Sequence, residues 1–294
     1  MSALHDSSAE GQVRGAGRPQ TNRVADPLRV AAAQAASVPG DVAANVATAV
    51  ALVTSAADQG ARVVVLPELF LTGYDEAAWT HDASLALDDE ALVRLSEVAR
   101  ARSVVVVVGA AVRRALDEST LSVLVVDAQG EVSAPYDKQH LSGPERDFFT
   151  AGSHGATVVV DGWDLALGVC YDGCFPEHAL SATAGGASAY LVPAAYYVGA
   201  EHRRDVYYAA RALDNGIYVV FAGLTGRCGA GSFSGGSAVY DPEGRPVARV
   251  GDEARAVVTH DLDLDLVLRT QRDHPMARDR LDSLGTRTRV VLTP

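Results

Sequence analysis

The sequence predicts an α/β protein folded as a layered sandwich in a single domain. Three observations carry this. Short apolar runs that read as strands outnumber amphipathic helical stretches by about two to one. Their order is strand–helix–strand–helix–strand–strand, with something similar again in the second half. That order suits stacked layers of sheet and helix better than a regularly alternating βα barrel. No mid-chain linker and no repeat at a period of about 20–50 residues divides the 294 residues.

The elements follow from the N-terminus. Residues 1–26 are rich in Ser, Gly, Arg and Gln and lack an apolar stretch, so they read as a flexible tail rather than a secretory signal. The domain is assigned to residues 27–294. Leu28–Ala35 is a strand. Asp41 is placed to cap a helix running to Ala57, which Gly60 stops. Arg62–Leu66 is a second buried strand, and Asp89–Ala101 a second helix. Val104–Gly109 and Leu121–Asp127 are strands, and Glu131–Asp137 is a short strand or extended arm. Lys138–Gly152 is polar and aromatic and reads as a loop. An apolar run from Trp163 to Val169 delivers Cys170 to a turn, Tyr171-Asp172-Gly173, after which Pro176 starts a helix to about Gly185. Ala189–Pro193 is a strand, Arg203–Asn215 a helix and Ile217–Ala222 a strand. Gly235–Tyr240, Pro246–Val250 and Ala256–Asp261 close the sheets. From Leu264 the chain reads as irregular or partly helical, and His260–Asp265 as a solvated strand edge.

Composition narrows the function classes. The chain is 48% hydrophobic and 21% charged, an ordinary globular balance, with net charge −12. Clustered Lys and Arg are missing, which argues against nucleic acid or an anionic membrane as partner. The longest apolar run, Val104–Val112, is too short to span a bilayer. Three cysteines, Cys170, Cys174 and Cys228, are too few for a disulfide framework and point to a reducing compartment, the cytoplasm.

Three chemically complementary residues share one context. Glu68, Lys138 and Cys170 each lie just past a buried strand or extended arm, where rigid scaffolds present functional groups. A carboxylate can take a thiol proton and return it to a leaving amine, and an ammonium can stabilise an oxyanion. Such a set suits acyl transfer from an amide or nitrile, through a thioester, to water. Each residue also has a plain reading: a packed core cysteine, a solvated glutamate, a surface lysine. Only their joint occurrence favours chemistry. Cys170, Cys174 and His178 are spaced four apart and could suggest a metal site, but Pro176 and Asp172-Gly173 break the helix that such a face would need. His140 could be a base or a structural hydrogen-bonding residue, and the second is preferred.

From Leu28 to about Asp263 the chain resembles the carbon–nitrogen hydrolase (nitrilase) superfamily, in its amidase-like branch. Leu66-Pro67-Glu68-Leu69-Phe70-Leu71-Thr72-Gly73-Tyr74 is similar to that family's first motif, Tyr136-Asp137-Lys138-Gln139-His140-Leu141 to its second, and Cys170-Tyr171-Asp172 with Phe175-Pro176-Glu177 to its third. The resemblance implies an α-β-β-α sandwich with Glu68 as general base, Lys138 as oxyanion stabiliser and Cys170 as nucleophile. It implies Glu145 as a substrate-positioning support for Lys138. Tyr74 and Tyr171 either line the pocket and position substrate or bury their rings and satisfy their hydroxyls, and the first is preferred. The resemblance further implies no metal or organic cofactor, and pairing into a homodimer or larger assembly. The expected reaction is hydrolysis of a small linear amide to ammonia and an acid. Nitrile or N-carbamoyl hydrolysis by the same residues is the alternative, and a non-catalytic binding protein on this scaffold is a third. The chain departs from the family where many members carry Arg: here Cys174 and Leu180 stand instead, and Gly223 replaces an Asn. Lacking those guanidinium groups, the pocket is expected not to grip a substrate carboxylate at that place.

Overall fold

Runs of valine and alanine buried on both faces set the architecture. In Val63-Val64-Val65, alternate side chains enter two different cores, so the strand reads as continuously apolar although its period is two. A computed structural model describes residues 25–80, 83–251, 253–281 and 283–292. The expected tail, up to residue 24, lies outside the described residues.

The first half contributes β1 (Leu28–Gln34), α1 (Val42–Asp58), β2 (Val63–Val65), α2 (Val93–Arg102), β3 (Val105–Ala115), β4 (Glu118–Val126), β5 (Val132–Asp137) and a one-turn α3 (Glu145–Phe148). The second half supplies β6 (Thr157–Val160), β7 (Trp163–Leu167), α4 (Pro176–Ala184), β8 (Ala189–Ala194), α5 (Glu201–Asn215) and β9 (Tyr218–Gly223). It closes with β10 (Thr225–Cys228), β11 (Gly231–Ser234), β12 (Ala238–Tyr240), β13 (Pro246–Arg249), β14 (Ala256–Leu262), α6 (Leu264–Asp273) and α7 (Met276–Asp279).

Two six-stranded sheets form, in the orders β14-β1-β2-β3-β4-β5 and β13-β12-β9-β8-β7-β6. In each, a parallel three-strand centre (β1-β2-β3, β7-β8-β9) is flanked by antiparallel strands. The inner faces meet: Val30, Ala32, Val63, Val65 and Val107 pack into one core with Leu165, Leu167, Leu191 and Val220. The outer face of the first sheet is covered by α1 and α2, where Val46, Ala49, Leu52, Leu95 and Ala99 meet Ala31, Val64, Val106 and Val108. The helices α4 and α5 cover the second sheet, with Ala179, Tyr208 and Ala212 buried against it. Each such Val or Leu contributes about 1.5–3 kcal/mol by leaving water. The expected four-layer order, helix–sheet–sheet–helix, is the observed one.

Most boundaries agree with the sequence reading. The Asp41 side chain accepts the Ala44 N–H at 3.0 Å and caps α1. Five features differ. The β3–β4 hairpin continues through Arg113 and Arg114, whose side chains face outward while the ladder runs on. Strand β6 was not anticipated; it pairs with β7 across the Asp161-Gly162 turn, a hairpin signal present in the sequence. The glycine-rich ribbon β10–β11 lacks the alternation that marks a strand and is held by its pairing and by burial of Cys228 and Phe233. Lys138–Gly152 is not wholly loop, because Glu145–Phe148 makes one helical turn. The tail from Leu264 begins as a regular helix: Asp263 caps it, and Leu262 and Leu264 are buried, so His260–Asp265 is a strand-to-helix junction rather than a solvated edge.

Close backbone approach sets the position of Glu68. Gly109 on β3 donates its N–H to Pro67 O at 3.0 Å and accepts from the Leu71 N–H at 3.2 Å. A Cβ at Gly109 would stand 2.6 Å from Glu68 Cα and 2.7 Å from Pro67 O. Both neighbours are backbone, so they cannot simply rotate aside. Gly109→Ala is therefore expected to destabilise by about 1–3 kcal/mol, read as a lower melting temperature. Gly155→Ala, where an added Cβ meets nothing within 4 Å, is expected to stay within about 0.5 kcal/mol of the parent.

Candidate active site

Strand ends bring the predicted residues together. β2 leads through Leu66 and Pro67 to Glu68, and Leu69 follows in the left-handed region at φ 47°. The turn is tied by the Gly73 N–H to Leu69 O at 2.6 Å and by Ala111 N–H to Thr72 Oγ1 at 3.0 Å. β5 delivers Lys138, whose N–H bonds Leu121 O at 2.8 Å and whose carbonyl accepts the Gly152 N–H at 2.9 Å. β7 delivers Cys170, which opens a short 3-10 turn, Cys170–Cys174, at φ 42°. Left-handed backbone at a non-glycine residue costs of order 1–3 kcal/mol and persists only where surrounding structure enforces it. Here the Tyr208 hydroxyl donates to Cys170 O at 2.9 Å from α5.

The side chains form one buried cluster. Lys138 Nζ lies 2.6 Å from Glu68 Oε1 and 2.8 Å from both oxygens of Glu145. All three side chains are fully shielded from solvent. Glu145 also accepts the Tyr74 hydroxyl at 2.6 Å and the Ser142 N–H at 2.8 Å. Glu68 Oε2 is buried and accepts no hydrogen bond among the described residues. The Cys170 thiol is near enough to favour the ionised Glu68 and donates at 3.7 Å to Ala195 O.

Two carboxylates around one ammonium leave an excess of negative charge in a dry place. Burial raises the Glu68 pKa to about 7, with Lys138 opposing and Glu145 reinforcing the rise. Burial acts to lower the Lys138 pKa, but Glu68 and Glu145 outweigh it and hold the ammonium charged. Burial, then the Glu68 charge, pushes the Cys170 thiol well up. At rest the cluster is thus a neutral thiol, an ammonium and a carboxyl poised near neutral pH; because the thiol holds its proton more tightly than Glu68 would, the proton moves to Glu68 only as sulfur bonds to a substrate.

Of the predicted pocket residues, Tyr74 reaches the cluster through Glu145, whereas the Tyr171 ring packs edge-on against Phe175 at 5.0 Å. Cys174 Sγ lies 3.4 Å from the Tyr196 hydroxyl, and neither it nor half-buried Leu180 supplies a cation. His178 cannot join a metal face with the cysteines, since its two ring nitrogens bond the hydroxyls of Tyr136 and Tyr190 at 2.8 and 2.9 Å. His140 takes the structural role preferred from the sequence: its N–H and Nδ1 both bond Asp172 Oδ1, at 2.9 and 2.8 Å. Sequence reasoning missed Asp172, Tyr136, Tyr190 and Tyr208, whose partners come from distant segments. Tyr136 and Asp172 stand within the motif segments around Lys138 and Cys170, but nothing local marks these contacts, and Tyr190 and Tyr208 lie in an ordinary strand and helix.

The sequence profile of the family described as carbon-nitrogen hydrolase matches residues 29–272. The chain belongs to the carbon–nitrogen hydrolase family. It is 34% identical over 241 residues to a protein of Pseudomonas protegens named "Hydrolase in pqqF 5'region", covering 81% of this chain and 84% of that one. It is 33% identical to an (R)-stereoselective amidase of a Pseudomonas species, with coverages of 86% and 91%. Among solved structures, the amidase from Nesterenkonia sp. AN1 in complex with acrylamide aligns with TM-score 0.76 and 30% identity, over 86% of this chain and 94% of that one. Another form of that amidase shows Michael addition of acrylamide at its active-site cysteine. This carbon–nitrogen hydrolase is thus an enzyme of the amidase branch of the nitrilase superfamily, and its α-β-β-α fold is that of the superfamily's amidases. No helix among its described residues is long and apolar enough to cross a membrane.

The buried triad makes a stability prediction. Lys138→Met would leave Glu68 and Glu145 facing each other without a counter-charge, at a cost of about 3–5 kcal/mol. With the ammonium gone, the folded-state pKa of Glu68 rises beyond about 7. A carboxyl raised in the folded state binds protons more tightly than in the unfolded chain, so the variant's deficit grows as pH rises and shrinks as pH falls. Urea unfolding above and below neutral pH measures both arms.

Proposed function

We propose that this enzyme hydrolyses a small linear amide to ammonia and a carboxylic acid through a thioester on Cys170. The observation that carries the reading is Lys138 Nζ held between Glu68 and Glu145 in the same buried cluster as the Cys170 thiol. Glu68 takes the thiol proton as sulfur attacks the carbonyl carbon, and a C–S bond forms. The carbonyl oxygen becomes an oxyanion, stabilised by the Lys138 ammonium and the backbone N–H of Tyr171. Collapse breaks the C–N bond while Glu68 returns its proton to the leaving nitrogen, which departs as ammonia. Glu68 then takes a proton from water, the resulting hydroxide attacks the thioester, the C–S bond breaks to release the acid, and Glu68 returns its proton to the leaving sulfur, restoring the thiol and the carboxylate.

Charge and shape around the site bear on the acyl group. Tyr74 sets its ring edge-on to Trp79, Tyr197 and Phe233 at 5.1, 6.3 and 5.4 Å. Tyr197 stacks on Phe233 and is half-exposed. Its hydroxyl is pushed up by burial and then by the charges of Glu68, Glu76 and Glu145. An aromatic, acid-rich surround with Cys174 and Leu180 in place of guanidinium groups favours a neutral or cationic acyl chain over one bearing a carboxylate. Nitriles and N-carbamoyl compounds remain the alternative substrates for the same thiol. Exposed Val206 and Leu213 on α5 support self-association of the chain.

Ammonia release over a panel of amides, nitriles and carbamoyl compounds tests this. Neutral amides are expected to lead, with Cys170→Ala and Glu68→Gln lowering kcat by about 10²–10⁴. Silence across the panel would sink the hydrolase reading, and preference for ω-amido acids would sink the acyl-chain argument. Because Glu68 acts unprotonated and its pKa is raised to about 7, kcat/KM should rise with pH through the neutral range. A profile flat from weakly acidic to neutral pH would exclude Glu68 as the base.

A further inference from the structure

Asp172 lies two residues past the nucleophile and is wholly buried, yet the chemistry above does not use it. Each of its oxygens accepts two hydrogen bonds. Its Oδ2 accepts the Tyr136 hydroxyl at 2.7 Å and the Val169 N–H at 3.0 Å. Its Oδ1 accepts the N–H and the Nδ1 of His140, at 2.9 and 2.8 Å. These four donors come from two places only. Val169 immediately precedes Cys170; Tyr136 and His140 stand two residues before and two after Lys138. One carboxylate therefore ties the backbone beside the nucleophile to both flanks of the lysine.

The bonds have a direction. Tyr136 has a single hydroxyl proton and gives it to Asp172. His178 Nε2, 2.8 Å away, must then be the donor to the Tyr136 oxygen. That fixes the neutral tautomer of His178 and leaves Nδ1 to accept the Tyr190 hydroxyl at 2.9 Å. Burial favours this neutral ring by lowering the His178 pKa. Tyr190 in turn lies on β8 directly behind the Cys170 strand: a Cβ at Gly168 would stand 2.5 Å from its Cζ. On the solvent side, the His140 ring stacks on Phe175 at 4.0 Å and 15°. Asp172 is thus braced from β8 and α4 on the inner side and by the His140 ring, stacked on Phe175, on the outer side.

We propose that Asp172, with the donor chain Tyr190–His178–Tyr136 behind it, is a positioning residue that locks the Lys138 arm and the Cys170 turn into one rigid unit. It touches no reacting atom. It acts by keeping the oxyanion-stabilising ammonium in register with the attacking sulfur. A misplacement of about 1 Å between such groups can cost about 100-fold in rate. The inference rests on amide hydrolysis as the reaction.

Asp172→Asn tests it, because the side chain keeps its size while one acceptor becomes a donor facing two donors. With the best amide of the panel, kcat is expected to fall about 100-fold while KM stays within about threefold. Capture of Cys170 by methyl methanethiosulfonate, which has no carbonyl for Lys138 to hold, is expected to change by less than about threefold. Tyr136→Phe removes one of the four bonds and should lower kcat by about three- to tenfold, again with KM preserved. It carries the same test should Asp172→Asn fail to fold. A kcat within about threefold of wild type in the folded variants would overturn the proposal. So would a parallel fall in kcat and thiosulfonate capture with a depressed melting temperature, which marks a general scaffold role. A wild-type protein silent on every amide would instead remove the parent reading, and this one with it.

Discussion

The Lys138 ammonium sits in a dry place between two carboxylates, and the rest of the site depends on that arrangement. Burying a single charge is costly, and burying three is tolerable only when each meets close partners. Glu145 does most of the compensation: it holds Lys138 through both oxygens and is itself held by Tyr74 and the Ser142 N–H. Glu68 gives the lysine one oxygen, and its other oxygen accepts no hydrogen bond among the described residues. That asymmetry separates two otherwise similar glutamates. The satisfied one fixes the cation, and the under-satisfied one, its pKa raised to about 7, can exchange a proton.

A cluster of this kind needs a scaffold that does not yield. Two sheets packed face to face, each covered by helices, give the strand ends β2, β5 and β7 a dense backing. Left-handed backbone at Leu69 and Cys170 follows two of those strand ends directly. Ordered donors hold the strained turns: Tyr208 on the Cys170 carbonyl, Gly109 against the backbone of Pro67 and Leu71. Strain beside reactive groups is a common way to aim side chains that a relaxed turn would point elsewhere.

Much of this was legible beforehand, for identifiable reasons. Strands β2, β3, β8 and β9 are buried on both faces, so their apolar runs stand out without any knowledge of partners. Glu68, Lys138 and Cys170 are polar or reactive residues at the ends of such runs, which made them conspicuous. Strand β6 has a legible hairpin turn, Asp161-Gly162, but its four residues are too few to show a strand period. The ribbon β10–β11 is too short and glycine-rich to show a strand period, and the burial of its Cys228 and Phe233 depends on segments far away in the chain. Helix α6 was obscured by the alternating His260–Asp265 stretch, in which Asp263 ends a strand and caps a helix.

By itself the sequence determined the layered α/β class, the three strand-end residues and their chemical complementarity, because these depend on residue type and local order. Tertiary structure alone decided that Lys138 bonds both glutamates, that one Glu68 oxygen is left without a hydrogen bond among the described residues, and that Asp172 bonds residues more than thirty positions away. The reason is physical. Hydrogen-bond satisfaction, burial and pKa are properties of what surrounds a group, and for every buried polar side chain here the surroundings come from several distant segments of the chain.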